Sequence, residues 1–261
     1  MTRLSLARTG GCLLSLILTS ACAEGALSLA GTRLIFDGRY TEVSIETHNK
    51  GRNAVLVQAT LSDPRDDDDT PPDQRRLLPF VITPPLSKVP AGGKQLLRVL
   101  YQGAGMPAGQ ESLLHLYALE VPQRQALEQQ LNIAVRQRIN VFYRPPGLEG
   151  DPADSAERLR WTFNSPAAGT RTLSVENPTV YHVSLEVVQL NGVQVIDYLL
   201  LAPRARFELP LAESHSTAQG HQLRFNALTD YGARRRYCAP WTEQASFTAR
   251  LQDTTPIQDE C

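Results

Sequence analysis

LNIAVRQRINVFYRPPG, residues 131–147, decides how the rest of the chain is read. Its odd positions are Leu131, Ile133, Val135, Gln137, Ile139, Val141 and Tyr143, while its even positions include Arg136, Arg138, Asn140 and Arg144. Alternation with a period of two marks a β-strand with one apolar face and one polar face, here basic. Pro145 and Pro146 then end it, because proline has no N–H to give to a sheet ladder. A strand over 131–144 is long, since strands usually run about 3–10 residues.

Working outward, the same patterning recurs in short runs: LSLAGTRLIFDG, TEVSIETHN, AVLVQATLSD, KQLLRVLYQ and SLLHLYALEV. Turn formers separate them at Asp37-Gly38, Asn49-Lys50-Gly51, Ala91-Gly92-Gly93 and Gly103–Pro107. Beyond Pro145 the style repeats in RTLSVENPT, YHVSLEVVQL, VQVIDYLLL, ARFELPL, HQLRFNALTD and ASFTARL. Short strands at such spacing predict an all-β protein built of sandwiches. The stiff polar stretch Pro145–Pro152 lies between the two sets, so the reading is two β-sandwich domains, 24–146 and 147–261. A length of 261 residues suits two domains, and 42% hydrophobic with 20% charged residues argues against disorder.

The first 23 residues read as an export signal: Arg3 and Arg8, the apolar run Leu13–Leu18, then Ala21-Cys22-Ala23. That run is too short to cross a bilayer, which needs about 20 residues. Cys22 raises lipidation, but Thr19 stands where a lipobox carries an aliphatic residue. Removing residues 1–23 takes two of the 26 basic residues and none of the 27 acidic ones, leaving a formal charge of −3. That balance does not point to a nucleic-acid partner. Cys238 and Cys261 remain, and an even pair in an exported protein favours a disulfide.

No G-x-S-x-G, H-E-x-x-H, Walker loop or C-x-x-C occurs, so no enzyme and no cofactor is expected. His48, His115, His182, His215 and His221 are scattered, and no metal site is expected from them. The acidic stretch DPRDDDDTPPDQ, residues 63–74, lacks the spaced ligands and glycine of a calcium loop and reads as a solvated loop.

Together, six segments resemble the periplasmic pilus (fimbrial) chaperones of the chaperone–usher pathway. The opening stretch with its FYRPP ending is similar to that family's G1 strand, and TRLIFDG (32–38) to its first strand. ITPPLSKVPAGGKQLLRVL (82–100) and QESLLHLYALEVP (110–122) resemble its proline pair and its E-S-L…E-I-P segment. ENPTVYHVSLEVV (176–188) and LTDYGA (228–233) resemble second-domain landmarks. The resemblance implies two immunoglobulin-like sandwiches in an L shape, in a periplasmic, non-enzymatic chaperone. Its partners would be immunoglobulin-like pilus subunits and an outer-membrane usher, with self-capping as a homodimer left open.

It further implies donor-strand complementation, in which G1 completes a subunit that lacks its last strand. Leu131, Ile133 and Val135 occupy the positions that would plug the subunit groove. Arg33 matches the arginine that anchors the subunit's terminal carboxylate. The companion lysine is replaced by Asn140, with Arg138 two residues earlier as another source of charge. Glu111, Arg144 and Asp230 match a network that fixes domain orientation. The segment between Glu120 and Leu131 is short, as in the branch serving rod-like fimbriae. Gly109, His115 and Tyr117 depart from the family's preferred residues. RRRYCAPWTEQ (234–244) reads as an insertion, its arginines either a solvated loop or a contact for usher or subunit. The competing readings are a two-domain β-sandwich adhesin or carbohydrate-binding protein, disfavoured by the presence of only Trp161 and Trp241, and a periplasmic hydrolase.

Overall fold

The computed structural model describes residues 26–66, 70–71, 73–122, 133–164, 170–211, 221–241, 245–252 and 261. The first half contains β1 (Leu27–Leu29), β2 (Arg33–Asp37), β3 (Glu42–Asn49), β4 (Val55–Ser62) and β5 (Phe80–Thr83). It continues with β6 (Leu86–Val89), β7 (Lys94–Tyr101), β8 (Ser112–Pro122) and β9 (Val135–Arg144). These form two facing sheets, ordered β1-β3-β7-β5 and β2-β9-β8-β4-β6. The predicted alternation is what makes the sandwich: Ile45, Leu97 and Val99 point inward from one sheet, and Leu116, Ala118, Ile139 and Val141 from the other.

One end of this core is aromatic. Phe36, Phe80, Tyr101 and Tyr143 pack with ring centroids 4.8–6.3 Å apart. Burial, reinforced by the hydrogen bond with Tyr101, pushes the Tyr143 phenol up to about 12.

After a 3₁₀ turn at Pro152–Asp154, the second half contains β10 (Arg160–Asn164), β11 (Thr172–Glu176), β12 (Val183–Leu190), β13 (Val193–Leu201) and β14 (Arg206–Pro210). It ends with β15 (Gln222–Leu228), β16 (Arg234–Pro240), β17 (Ser246–Phe247) and β18 (Arg250–Leu251). Its sheets are ordered β14-β11-β10-β17 and β13-β12-β15-β16-β18. They close on a separate core in which Trp161 packs on Phe225 and Phe225 stacks on Tyr237, each pair 5.2 Å apart.

Three expectations change. Arg234–Pro240 is not an inserted loop but strand β16, paired with β15 from Leu228↔Arg234 to Gln222↔Pro240. The arginine triplet hides the pattern, yet Tyr237 and Ala239 supply the inward face. The acidic stretch is not simply solvated either: Asp63 and Asp66 are buried, held by Arg65 and Arg76 respectively. Buried carboxylates need such partners; Asp67–Asp69 lie outside the described residues.

The opening strand itself is shorter than read. β9 begins at Val135, Ile133 precedes it as non-strand chain, and Leu131 lies outside the described residues. Its odd face also divides. Ile139, Val141 and Tyr143 enter the protein's own core, Val135 is half-buried, and Ile133 is 51% exposed.

A cleft and a free strand edge as the candidate functional site

β9 has β8 along all but its last residue on one side, antiparallel from Glu120↔Val135 to Ser112↔Tyr143. On its other side β2 runs parallel, but only from Arg33↔Asn140 to Asp37↔Arg144. Residues 135–139 therefore have no strand on that second edge among the described residues. The Gln137 side chain donates to the carbonyl of Leu27, in β1 of the facing sheet, at 2.6 Å. An unpaired edge next to an exposed isoleucine is a template for another chain.

At its far end the strand terminates in a charged junction between the two sandwiches. Arg144 Nε donates to Glu111 Oε2 at 2.6 Å. Its two terminal nitrogens donate to Asp230 at 2.6 and 2.7 Å. Glu111 sits just ahead of β8, and Asp230 lies in the turn from β15 to β16, so one guanidinium joins both domains. Burial disfavours the Arg144 charge, but the hydrogen bond to Asp230 and the nearby carboxylates outweigh it and raise its pKa above the ordinary arginine value.

The second oxygen of Glu111 accepts from the His182 backbone N–H at 2.8 Å, with the imidazole Nδ1 2.9 Å away. The Glu111 N–H donates to the Val180 carbonyl at 2.9 Å. His182 is a member of this junction that the sequence reading missed. A histidine at a strand's shoulder carries no periodic signal.

Arg33 opens β2 and stands beside Asn140 in the parallel register. Its guanidinium lies 5.7 Å from the centre of the Phe142 ring, and its buried Nε has no hydrogen-bond partner. Burial lowers the Arg33 pKa, opposed by the distant fields of Tyr198, Asp230, Glu186 and Glu111. Asn140 also faces His115 across β8, so Arg33, Asn140 and His115 share one row of the sheet. Arg138 is exposed and stands opposite Tyr117, whose ring carries the Arg136 guanidinium at 3.8 Å.

Between the domains is a cleft of ≈ 320 Å³. Arg33, Glu111, Phe142 and Arg144 line it from the first sandwich, and Asp230, Tyr231 and Arg235 from the second. The fold thus gathers Arg33 and the Glu111–Arg144–Asp230 junction into one cavity wall. Arg138 and Asn140 are not part of that lining. Elsewhere, Cys238 in β16 is bonded to Cys261, their Cα atoms 5.6 Å apart. Among the described residues no group of three His, Cys, Asp or Glu could hold a metal, and no helix is long and apolar enough to cross a membrane.

Two immunoglobulin-like sandwiches joined by a charge junction, with a half-free strand leading to it, define a class of binding protein. Comparison supplies the family. Residues 26–149 match the pili and flagellar-assembly chaperone, PapD N-terminal domain, and residues 154–239 the pili assembly chaperone PapD, C-terminal domain. The chain is 31% identical over 233 residues to the probable fimbrial chaperone YadV of Escherichia coli, covering 86% of this chain and 93% of that one. It is 32% identical over 240 residues to the chaperone protein FimB/FhaD of Bordetella pertussis, covering 88% and 93%. The crystal structure of YadV superposes with a TM-score of 0.67, covering 83% of this chain and all of that one at 29% identity. The SafB chaperone, solved in complex with the SafA pilin of Salmonella enterica, shares the fold with a TM-score of 0.67 at 24% identity, covering 85% and 99%. The chain belongs to the fimbrial chaperones of the chaperone–usher pathway, a family of non-enzymatic pilus-assembly chaperones.

Proposed function

We propose that this protein acts in the periplasm, after removal of residues 1–23, by completing fimbrial subunits with β9 and passing them to an outer-membrane usher. The single observation that carries this reading is the free edge of β9 at residues 135–139. A subunit short of one strand would pair its own open edge there, gaining backbone hydrogen bonds. Ile133 and Val135, with Leu131 ahead of them, would enter the subunit's groove. Burying each aliphatic side chain contributes roughly 1.5–3 kcal/mol, so three would supply several kcal/mol before ordering costs.

In this reading the subunit's terminal carboxylate docks against Arg33, the cation whose Nε is buried and unpartnered. Asn140, beside Arg33, adds an uncharged donor. The Glu111–Arg144–Asp230 junction sets the angle at which the domains, divided near residue 147, present this site. Such a buried network fixes geometry more reliably than it adds stability. Co-expression with a fimbrial subunit tests the proposal. Changing Leu131, Ile133 and Val135 together to Ser should abolish subunit recovery while the chaperone itself accumulates normally. Undiminished recovery would remove the strand-donor role.

A further inference from the structure

The cleft holds three arginines and three carboxylates, and only one of the arginines is held in ion pairs among the described residues. Glu111 and Asp230 are both engaged by Arg144. Asp151 accepts from the Ala153 N–H at the head of the 3₁₀ turn. Arg33 and Arg235 are left without an ion pair among the described residues. Arg235 comes from the second domain, where its side chain lies against the Tyr237 hydroxyl.

The β15–β16 turn brings this arginine's strand up to the first domain. A Cβ on Gly232 would stand 2.9 Å from Thr32 Oγ1, so the turn is seated on the residue next to Arg33. Gly232 can take this position because its φ of +77° is unhindered in glycine. Tyr231, at the tip of the same turn, also borders the cleft and is 98% exposed. An aromatic face held in water at the mouth of a cavity with two guanidiniums outside any ion pair among the described residues describes a receptor for a chain end: a carboxylate inside, an apolar side chain at the rim.

We propose that the second domain completes the carboxylate site, with Arg235 as a second cation in the cleft that Arg33 lines and Tyr231 as the rim contact for the preceding side chain. This rests on the reading of Arg33 given above. It assigns to Arg235 the charge that Asn140 lacks, in place of Arg138, which lies outside the cleft lining. The second domain then takes part in recognition instead of serving only as a strut.

The test is a titration of the intact two-domain protein with a short apolar peptide ending in Tyr, with a free carboxylate or as its C-terminal amide. Binding is read from the Arg Nε–Hε resonances. The parent protein should prefer the free acid. Arg235→Gln should weaken acid binding about tenfold, the loss expected for one charge-assisted hydrogen bond, and leave amide binding unchanged. Tyr231→Ala should weaken both peptides alike. Arg33→Gln should abolish the acid preference. If Arg33→Gln does so while Arg235→Gln has no effect, the Arg33 anchor stands and the second-domain cation is wrong. A loss with Arg138→Gln instead of Arg235→Gln would overturn the assignment in favour of β9. No preference for the acid in the parent protein would overturn both. Unchanged melting of Arg235→Gln, an exposed residue, excludes misfolding as the cause of a loss.

Discussion

Replacing Arg144 with Met leaves the hydrocarbon stem in place and removes the charge that joins the domains. Glu111, 1% exposed, would keep its two contacts from His182 but lose the Nε bond at 2.6 Å. Stranding a buried charge in this way costs about 3–5 kcal/mol. Asp230, with its side chain 34% exposed, can turn to water and adds little. The retained His182 contacts place the expected loss at the low end, about 3 kcal/mol. For a chain of this size each kcal/mol shifts the melting point by about 2–4 °C, so the fall should be roughly 6–12 °C. Calorimetry measures it, and intrinsic fluorescence follows the second domain through Trp161 and Trp241. The decisive comparison is the double variant Glu111→Gln with Arg144→Met. With no buried charge left to strand, it should melt above Arg144→Met alone. A double variant that melts lower, or an Arg144→Met loss below about 1 kcal/mol, would refute the reasoning that Arg144 compensates Glu111.

Tyr143→Phe tests the aromatic end of the first core. The folded phenol, raised to about 12, stays neutral while the unfolded one ionises near pH 10, so its contribution is complete below about pH 10 and lost as pH rises to 12. In urea melts the parent protein should therefore lose stability relative to Tyr143→Phe between pH 10 and 12, and parallel curves would contradict the shift. Gly232→Ala should lower the melting point, since alanine resists φ +77° by about 1–2 kcal/mol and its methyl meets Thr32. Adding Thr32→Ala should recover only the steric part; full recovery would mean the backbone carries no strain.

Periodicity was sufficient for the sandwiches because strands such as β3, β4 and β7 bury one face and alternate along their length. It failed where charge or proline masks the inward residues, as in the arginine triplet of β16 and in β5 and β6 around Pro84-Pro85. The junction was visible only through resemblance, since Arg144 lies 33 residues from Glu111 and 86 from Asp230. The part of His182 in the junction gave no sequence signal, because it depends on the apposition of two domains, which no local pattern encodes. The arginines of 234–244 were read as either a solvated loop or a contact for usher or subunit, with Arg235 not singled out among them. In the opening stretch a single strand was expected over 131–144, with Leu131, Ile133 and Val135 as the residues meant for a partner. In the structure Ile139, Val141 and Tyr143 belong to the chain's own core, while Val135 is half-buried and Ile133 exposed.

That division makes hydrogen exchange on β9 the most direct measurement. In the free protein the outward-pointing amides of residues 135–139 should exchange freely, while those of residues 140–144, flanked by β2 and β8, are protected. On purification with a co-expressed fimbrial subunit, the outward amides of 135–139 should slow by at least about tenfold as they pair with the subunit's edge. Subunit binding that leaves those amides exchanging as before, with protection appearing elsewhere on the chain, would contradict strand donation by β9.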